Sequence, residues 1–106
     1  MSVYVAGPYR LGHRAANVRT AIAAGDAPLR RGHWPYVPHL HHAWDALHPH
    51  VERTWLELDL RWFEVSNAVL RLPGRSDGAD RDGANAARPG IPVFTSIDAL
   101  VRRRDP

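Results

Sequence analysis

The chain predicts an α/β fold: a single domain of three layers, with a short parallel sheet flanked by helices. Three observations lead there. Short apolar runs alternate with longer amphipathic or alanine-rich segments along the whole sequence, as in successive β–α units. The run NAVLRL at 67–72 is apolar without alternation, as expected of a strand covered on both faces. With 106 residues, 44% of them hydrophobic, the chain fits one domain over residues 1–106 with a modest core.

Each element has a local reason. VYVA (3–6) is an apolar run closed by Gly7-Pro8, a strong breaker pair, and reads as the opening strand. From His13 to Arg31, Ala15, Val18, Ile22 and Leu29 recur at a rough helical period; Pro28 should kink or shorten the last turns, and Gly32 ends the helix. WPYVP (34–38) is extended, but its prolines keep it from a central, fully paired position. Residues 39–50 are histidine-rich and read as a loop or a loose turn. Residues 51–64 form a helix with Val51, Trp55, Leu56, Leu58, Leu60, Trp62 and Phe63 distributed nearly all round, which predicts cover on more than one side. After the strand at 67–72 come a turn, a helix over 78–88 stopped by Pro89-Gly90, a last strand IPVF (91–94), and a closing helix SIDALVRR capped by Ser96. The arrangement is Rossmann-like or flavodoxin-like. In such sheets ligands bind at the carboxyl ends of the strands. The loops to watch are therefore GPYR, PHLHH and PGRSDGADRD.

Composition narrows the function classes. There is no cysteine, so disulfides, thiolate metal sites and thiol catalysis are excluded. The 14 basic residues are all arginine, and the formal charge of +3 is mild. The arginines are scattered rather than stacked with aromatics on one face, so a nucleic-acid polymer is not the expected partner. No apolar run approaches bilayer length and no charged-then-apolar leader opens the chain, so we expect a cytoplasmic protein without a membrane partner.

Three groups of residues carry possible chemistry. Asp77, Asp80 and Asp82 crowd the strand–loop–helix turn. Capping and the helix dipole account for the first two. Asp82 lies four residues after Gly78 on the same helical face, where the missing side chain leaves open space above it. That makes it a candidate nucleophile or base. Asp59 stands with Trp55 and Trp62 at i, i+4 and i+7, a carboxylate in a row of indoles that desolvation would turn into a general acid; pairing with an arginine, or capping of a loop, is the structural alternative. Two carboxylates from separate segments are the pairing used to break glycosidic bonds. Histidines 39, 41, 42, 48 and 50 raise the question of a metal, but HLHHAWDALHPH gives no recognised ligand spacing, and no metal or other cofactor is expected. In the first loop, backbone N–H groups after Gly7-Pro8 and the nearby Arg10 suit a phosphate.

Taken together, VYVAGPY, PYVPHL, the W…D…W helix, AVLRLPGRSDGADRD and GIPVF resemble the nucleoside 2-deoxyribosyltransferase superfamily, in particular its small transferase-like branch. The resemblance spans residues 3–98. It implies cleavage of the N-glycosidic bond of a nucleoside or nucleotide through a covalent sugar–carboxylate ester, resolved by water (hydrolase) or by a second base (transferase). Residue by residue, it implies Asp82 as nucleophile, in Gly78-Ala79-Asp80-Arg81-Asp82 against the family's G-x-x-x-E. It implies Asp59 as the acid at the departing base and Tyr4 as the residue that orients the nucleophile. Gly7, Tyr9, Arg10, Ser76 and Gly78 would shape the sugar–phosphate pocket, with His39 at its rim. Ser76 with Arg10 favours a 5′-monophosphate. Three departures stand out: Asp82 is one methylene shorter than the family's glutamate, Asn67 replaces an aspartate, and Gly83 and Pro89 weaken the helix. They bring a second expectation, a non-catalytic nucleotide-binding sensor. The apolar surface of the 51–64 helix exceeds what one small sheet covers, which predicts a homodimer.

Overall fold

The computed structural model describes residues 1–8, 14–74 and 91–102. Strand β1 (Ser2–Ala6) leads to helix α1 (Arg14–Arg30) and strand β2 (Trp34–Tyr36). A 3₁₀ turn (Pro38–Leu40), helix α2 (His41–Leu47) and helix α3 (Glu52–Glu64) return to strand β3 (Ala68–Arg71); strand β4 (Val93–Phe94) and helix α4 (Ile97–Arg102) follow. The four strands are all parallel in the order β2-β1-β3-β4. This is the three-layer α/β fold that the alternation of segments predicts. The helix expected over 78–88 lies outside the described residues.

Strand order and register decide which side chains meet. Tyr4 is level with Tyr36 on one side and Val69 on the other, so all three point to the same face. That face (Tyr4, Ala6, Val69) packs against Phe63 of α3. The opposite face (Val3, Val5, Ala68, Leu70) packs against Ala21 and Ala24 of α1 and Leu100 of α4. Residues 3–6 of β1 and 68–70 of β3 are at most 2% exposed, so the two central strands are the buried core. β2 and β4 are the edges, and Pro35 sits on β2, where a missing N–H leaves no central ladder bond unmade. Among the described residues, no helix is long and apolar enough to cross a membrane.

Three expectations need correction. The apolar period of α1 does not mark its inner face. Ile22 and Leu29 are 43% and 47% exposed, while Ala21, Ala24, Gly25 and Pro28 face the sheet. Small residues are needed there because the helix lies close: a Cβ at Gly25 would stand 2.7 Å from Val37 Cγ2. Pro28 lies inside the helix, which runs on to Arg30; the backbone then tightens into Arg31 N–H to Pro28 O (3.0 Å) and Gly32 N–H to Leu29 O (3.1 Å), and Gly32 at φ +86° ends the helix as expected. Second, residues 41–47 are helical, not loop. α2 buries none of its own residues in the core; Trp44 and His41 lie against Trp55, and Asp45 Oδ1 accepts from Trp55 Nε1 (2.9 Å) and His50 N (2.8 Å). Tertiary contacts with α3 hold a segment whose own helix preference is weak. Third, α3 is covered on one side only: Phe63 is its sole buried residue, and Leu56, Leu60 and Trp62 are about half exposed. α4 follows expectation, with Ser96 Oγ accepting from Ala99 N–H at 3.1 Å.

Candidate functional site

The chain reverses direction across the sheet between β1 and β3, so the crevice expected of this topology lies at their carboxyl ends. The loops there touch. Gly74 adopts φ +110°, and Pro8 Cγ lies 2.7 Å from where a Cβ at Gly74 would be. Only glycine accepts both the angle and the approach. Gly7 meets Leu72 in the same way, with Leu72 Cβ 2.8 Å from the position of an added Cβ, while Leu72 N–H donates to Ala6 O at 2.7 Å. Arg71 donates to Leu72 O and, at 2.8 Å, to Gly74 O, so its guanidinium braces the loop after β3. Beside it a depression is lined by Arg71, Leu72, Pro73, Gly74 and Thr95.

His39 joins the second loop to the first. Its Nε2 lies 3.0 Å from Pro8 O and 3.2 Å from Gly7 O, and since carbonyls only accept, Nε2 carries the proton. Burial pulls the imidazole below its ordinary pKa, against the opposing pull of those two bonds. At 5% exposure His39 is a buried strut beneath the first loop.

The second feature is on the α3 side of the sheet. Asp59 projects from α3 into a row of rings, with Trp55 and Trp62 one turn away on either side. Trp55 stacks on His41 (4.5 Å between centroids, 22° between planes) and Trp62 on Tyr36 (5.6 Å, 19°). Tyr36 in turn contacts Tyr4 at 5.5 Å, and Tyr4 meets Phe63 edge-on at 5.2 Å. Among the described residues, the carboxylate is bound by neither an arginine nor a loop backbone. Tyr36 O–H donates to Asp59 Oδ1 at 2.9 Å, and His41 Nε2 is 2.6 Å from the same oxygen. Burial, then the charge of Asp59 and the bond to it, push the Tyr36 phenol far above the usual tyrosine range. Both bonds fall on Oδ1; among the described residues none reaches Oδ2. The side chain of Asp59 remains 20% exposed. A half-buried carboxylate with one committed oxygen, one uncommitted oxygen and aromatic walls can accept from, or exchange a proton with, a flat heterocycle.

Of the residues singled out from sequence, the structure thus brings Gly7 and His39 together at the first loop, and Tyr4 and Asp59 together through Tyr36. Tyr9, Arg10, Ser76, Gly78 and Asp82 lie outside the described residues. Sequence reasoning missed two members, Tyr36 and His41. Tyr36 becomes conspicuous only when the sheet register sets it level with Tyr4; His41 stands out in the sequence solely as a possible metal ligand. Among the described residues no cluster of three or more histidine, cysteine, aspartate or glutamate side chains is placed to hold a metal. No family model matches the chain, and no curated protein matches it.

Proposed function

We propose that the protein cleaves or transfers the N-glycosidic bond of a nucleoside or nucleoside 5′-monophosphate, as the resemblance to the 2-deoxyribosyltransferases implies, in the cytoplasm and without a cofactor. The observation that carries this reading is Asp59: a carboxylate held through one oxygen by Tyr36 and His41, with the other oxygen left to a ligand among indole and phenol rings. In the reaction, the carboxylate of Asp82 attacks the anomeric carbon and the C–N bond breaks. The electron pair leaves on the base nitrogen, which takes the proton carried by neutral Asp59 and leaves it a carboxylate; the water or second base that resolves the ester returns a proton to it. The resulting sugar ester is resolved by water or by a second base. Tyr4 would orient the nucleophile; Gly7, Tyr9, Arg10, Ser76 and Gly78 would surround sugar and phosphate, and His39 fixes the first of those loops.

The test is release of free base from a panel of deoxynucleosides and their 5′-monophosphates, followed chromatographically. We expect release by the wild type, its loss in Asp82→Ala and Asp59→Asn, and an increase in Asp82→Glu, which restores the missing methylene. Binding of monophosphates with no base released, and no gain in Asp82→Glu, would refute the enzyme and leave the nucleotide sensor. The shortened side chain at Asp82 is the observation that favours that second reading, since about 1 Å of misplacement costs covalent catalysis about a hundredfold.

A further inference from the structure

Asp59 has two partners that the proposed mechanism does not use, and their geometry is specific. His41 sits on α2 with its side chain 14% exposed and its ring flat on Trp55. Its Nδ1 is buried and has no hydrogen-bond partner among the described residues. A proton on Nδ1 would be a buried donor with nowhere to go, so the neutral ring must carry its proton on Nε2. There it faces Asp59 Oδ1 at 2.6 Å, with Tyr36 Oη at 3.1 Å as a secondary acceptor. Tyr36 O–H points at the same Oδ1. Two donors from two different elements, α2 and β2, converge on one oxygen of a residue on a third, α3.

We propose that His41 and Tyr36 are positioning residues: by saturating Oδ1 they fix the rotation of the Asp59 carboxylate and present Oδ2 to the ligand's base. An aspartate without them turns freely about its last torsion and offers either oxygen in several directions. With them, one acceptor points one way, held by a ring that the Trp55 stack cannot let tilt. Neither residue touches the reacting atoms. The kinetic half of the proposal rests on the reading of Asp59 as the base-facing carboxylate; the tautomer half does not.

Two measurements test it. Long-range ¹H–¹⁵N spectra of the wild type report which nitrogen of His41 is protonated. The expected result is the Nε2–H tautomer with a downfield, slowly exchanging proton; a proton on Nδ1 overturns the proposal, because His41 would then accept from Tyr36 and release Asp59. The second measurement is base release by His41→Phe, which keeps a flat ring on Trp55 and deletes the donor, beside His41→Gln, which keeps an N–H. For His41→Phe we expect kcat to fall about ten- to a hundredfold, with KM within about threefold; His41→Gln should recover part of the loss. Unchanged kcat in His41→Phe, or equal losses in both variants with KM and melting temperature moving together, refutes positioning. Should the wild type release no base from any substrate, the glycosidase reading falls, while the tautomer still decides whether Asp59 is aimed.

Discussion

The close approach of α1 to β2 can be measured by Gly25→Ala, a substitution in which two effects of known sign oppose each other. Removing glycine from a helix interior favours folding by roughly 1 kcal/mol, since alanine has less chain entropy to lose. Against this, the new Cβ would lie 2.7 Å from Val37 Cγ2, about 1 Å inside ordinary carbon–carbon contact. Val37 is branched at Cβ and cannot turn the methyl away cheaply. Overpacking of this kind costs about 1–3 kcal/mol; taking about 2, the net effect is destabilisation by about 1 kcal/mol, a fall in Tm of roughly 4–8 °C in a domain of this size. Val37→Ala alone should also cost about 1 kcal/mol, for two methyl-sized groups that are only partly buried. Combining them removes the overlap and keeps the helix gain, so the double variant should return to within about 0.5 kcal/mol of wild type, a coupling of about 2 kcal/mol. Urea denaturation of the four proteins closes the cycle. If Gly25→Ala is stabilising and the two changes are additive, the helix does not approach as closely as argued, and the alanine–glycine stripe has no packing role.

Three further outcomes are expected. Ultraviolet titration of the wild type beside Tyr36→Phe should differ by a tyrosine that resists ionisation beyond the ordinary range; because its folded-state pKa is raised, the stability tied to Tyr36 is complete below about pH 10 and declines as pH rises above it. His39 has the opposite sign: its pKa is lowered by burial, so its contribution is complete above about pH 6.5 and is lost as pH falls below that, which urea midpoints at pH 7.5 and 5.0 should register and His39→Gln should flatten. Sedimentation equilibrium should find a homodimer, and Leu60→Glu on the half-exposed face of α3 should convert it to monomer with little change in secondary structure; a wild type that stays monomeric at all concentrations refutes the dimer.

Where the sequence misled, the reason is physical in each case. β1 and β3 are legible because both of their faces are buried, which writes itself as unbroken apolar runs. α1 is legible as a helix but not in its orientation: Ala21, Ala24, Gly25 and Pro28 carry almost no hydrophobic signal, and the larger Ile22 and Leu29 drew the face a third of a turn away. α2 is unreadable locally because its stability comes from Trp55, eleven residues after Trp44, and from an aspartate accepting an indole N–H. In the candidate site, the spacing of Trp55, Asp59 and Trp62 was visible in one helix, whereas what they pack against comes from two other segments. Tyr36 looked like part of a proline-bound extended run, and its meaning depends on a register that no local pattern contains.

The two features at this edge of the sheet do different work, and their separation is itself informative. Among the described residues, Pro8 meets Gly74, Leu72 meets Gly7, and His39 bonds the carbonyls of Gly7 and Pro8, so these contacts set how near the first and third loops approach. Around Asp59 the contacts are between side chains, and among the described residues they leave one strong acceptor uncommitted beside flat rings. Oδ2 is not among the buried groups without a partner and the side chain is 20% exposed, so water can serve that oxygen until a ligand displaces it. Binding two donors to one oxygen fixes the group without filling it. That asymmetry is why substitutions at His41 should alter chemistry with little effect on folding, whereas those at Gly7 or Gly74 should also disturb the close approach of the loops.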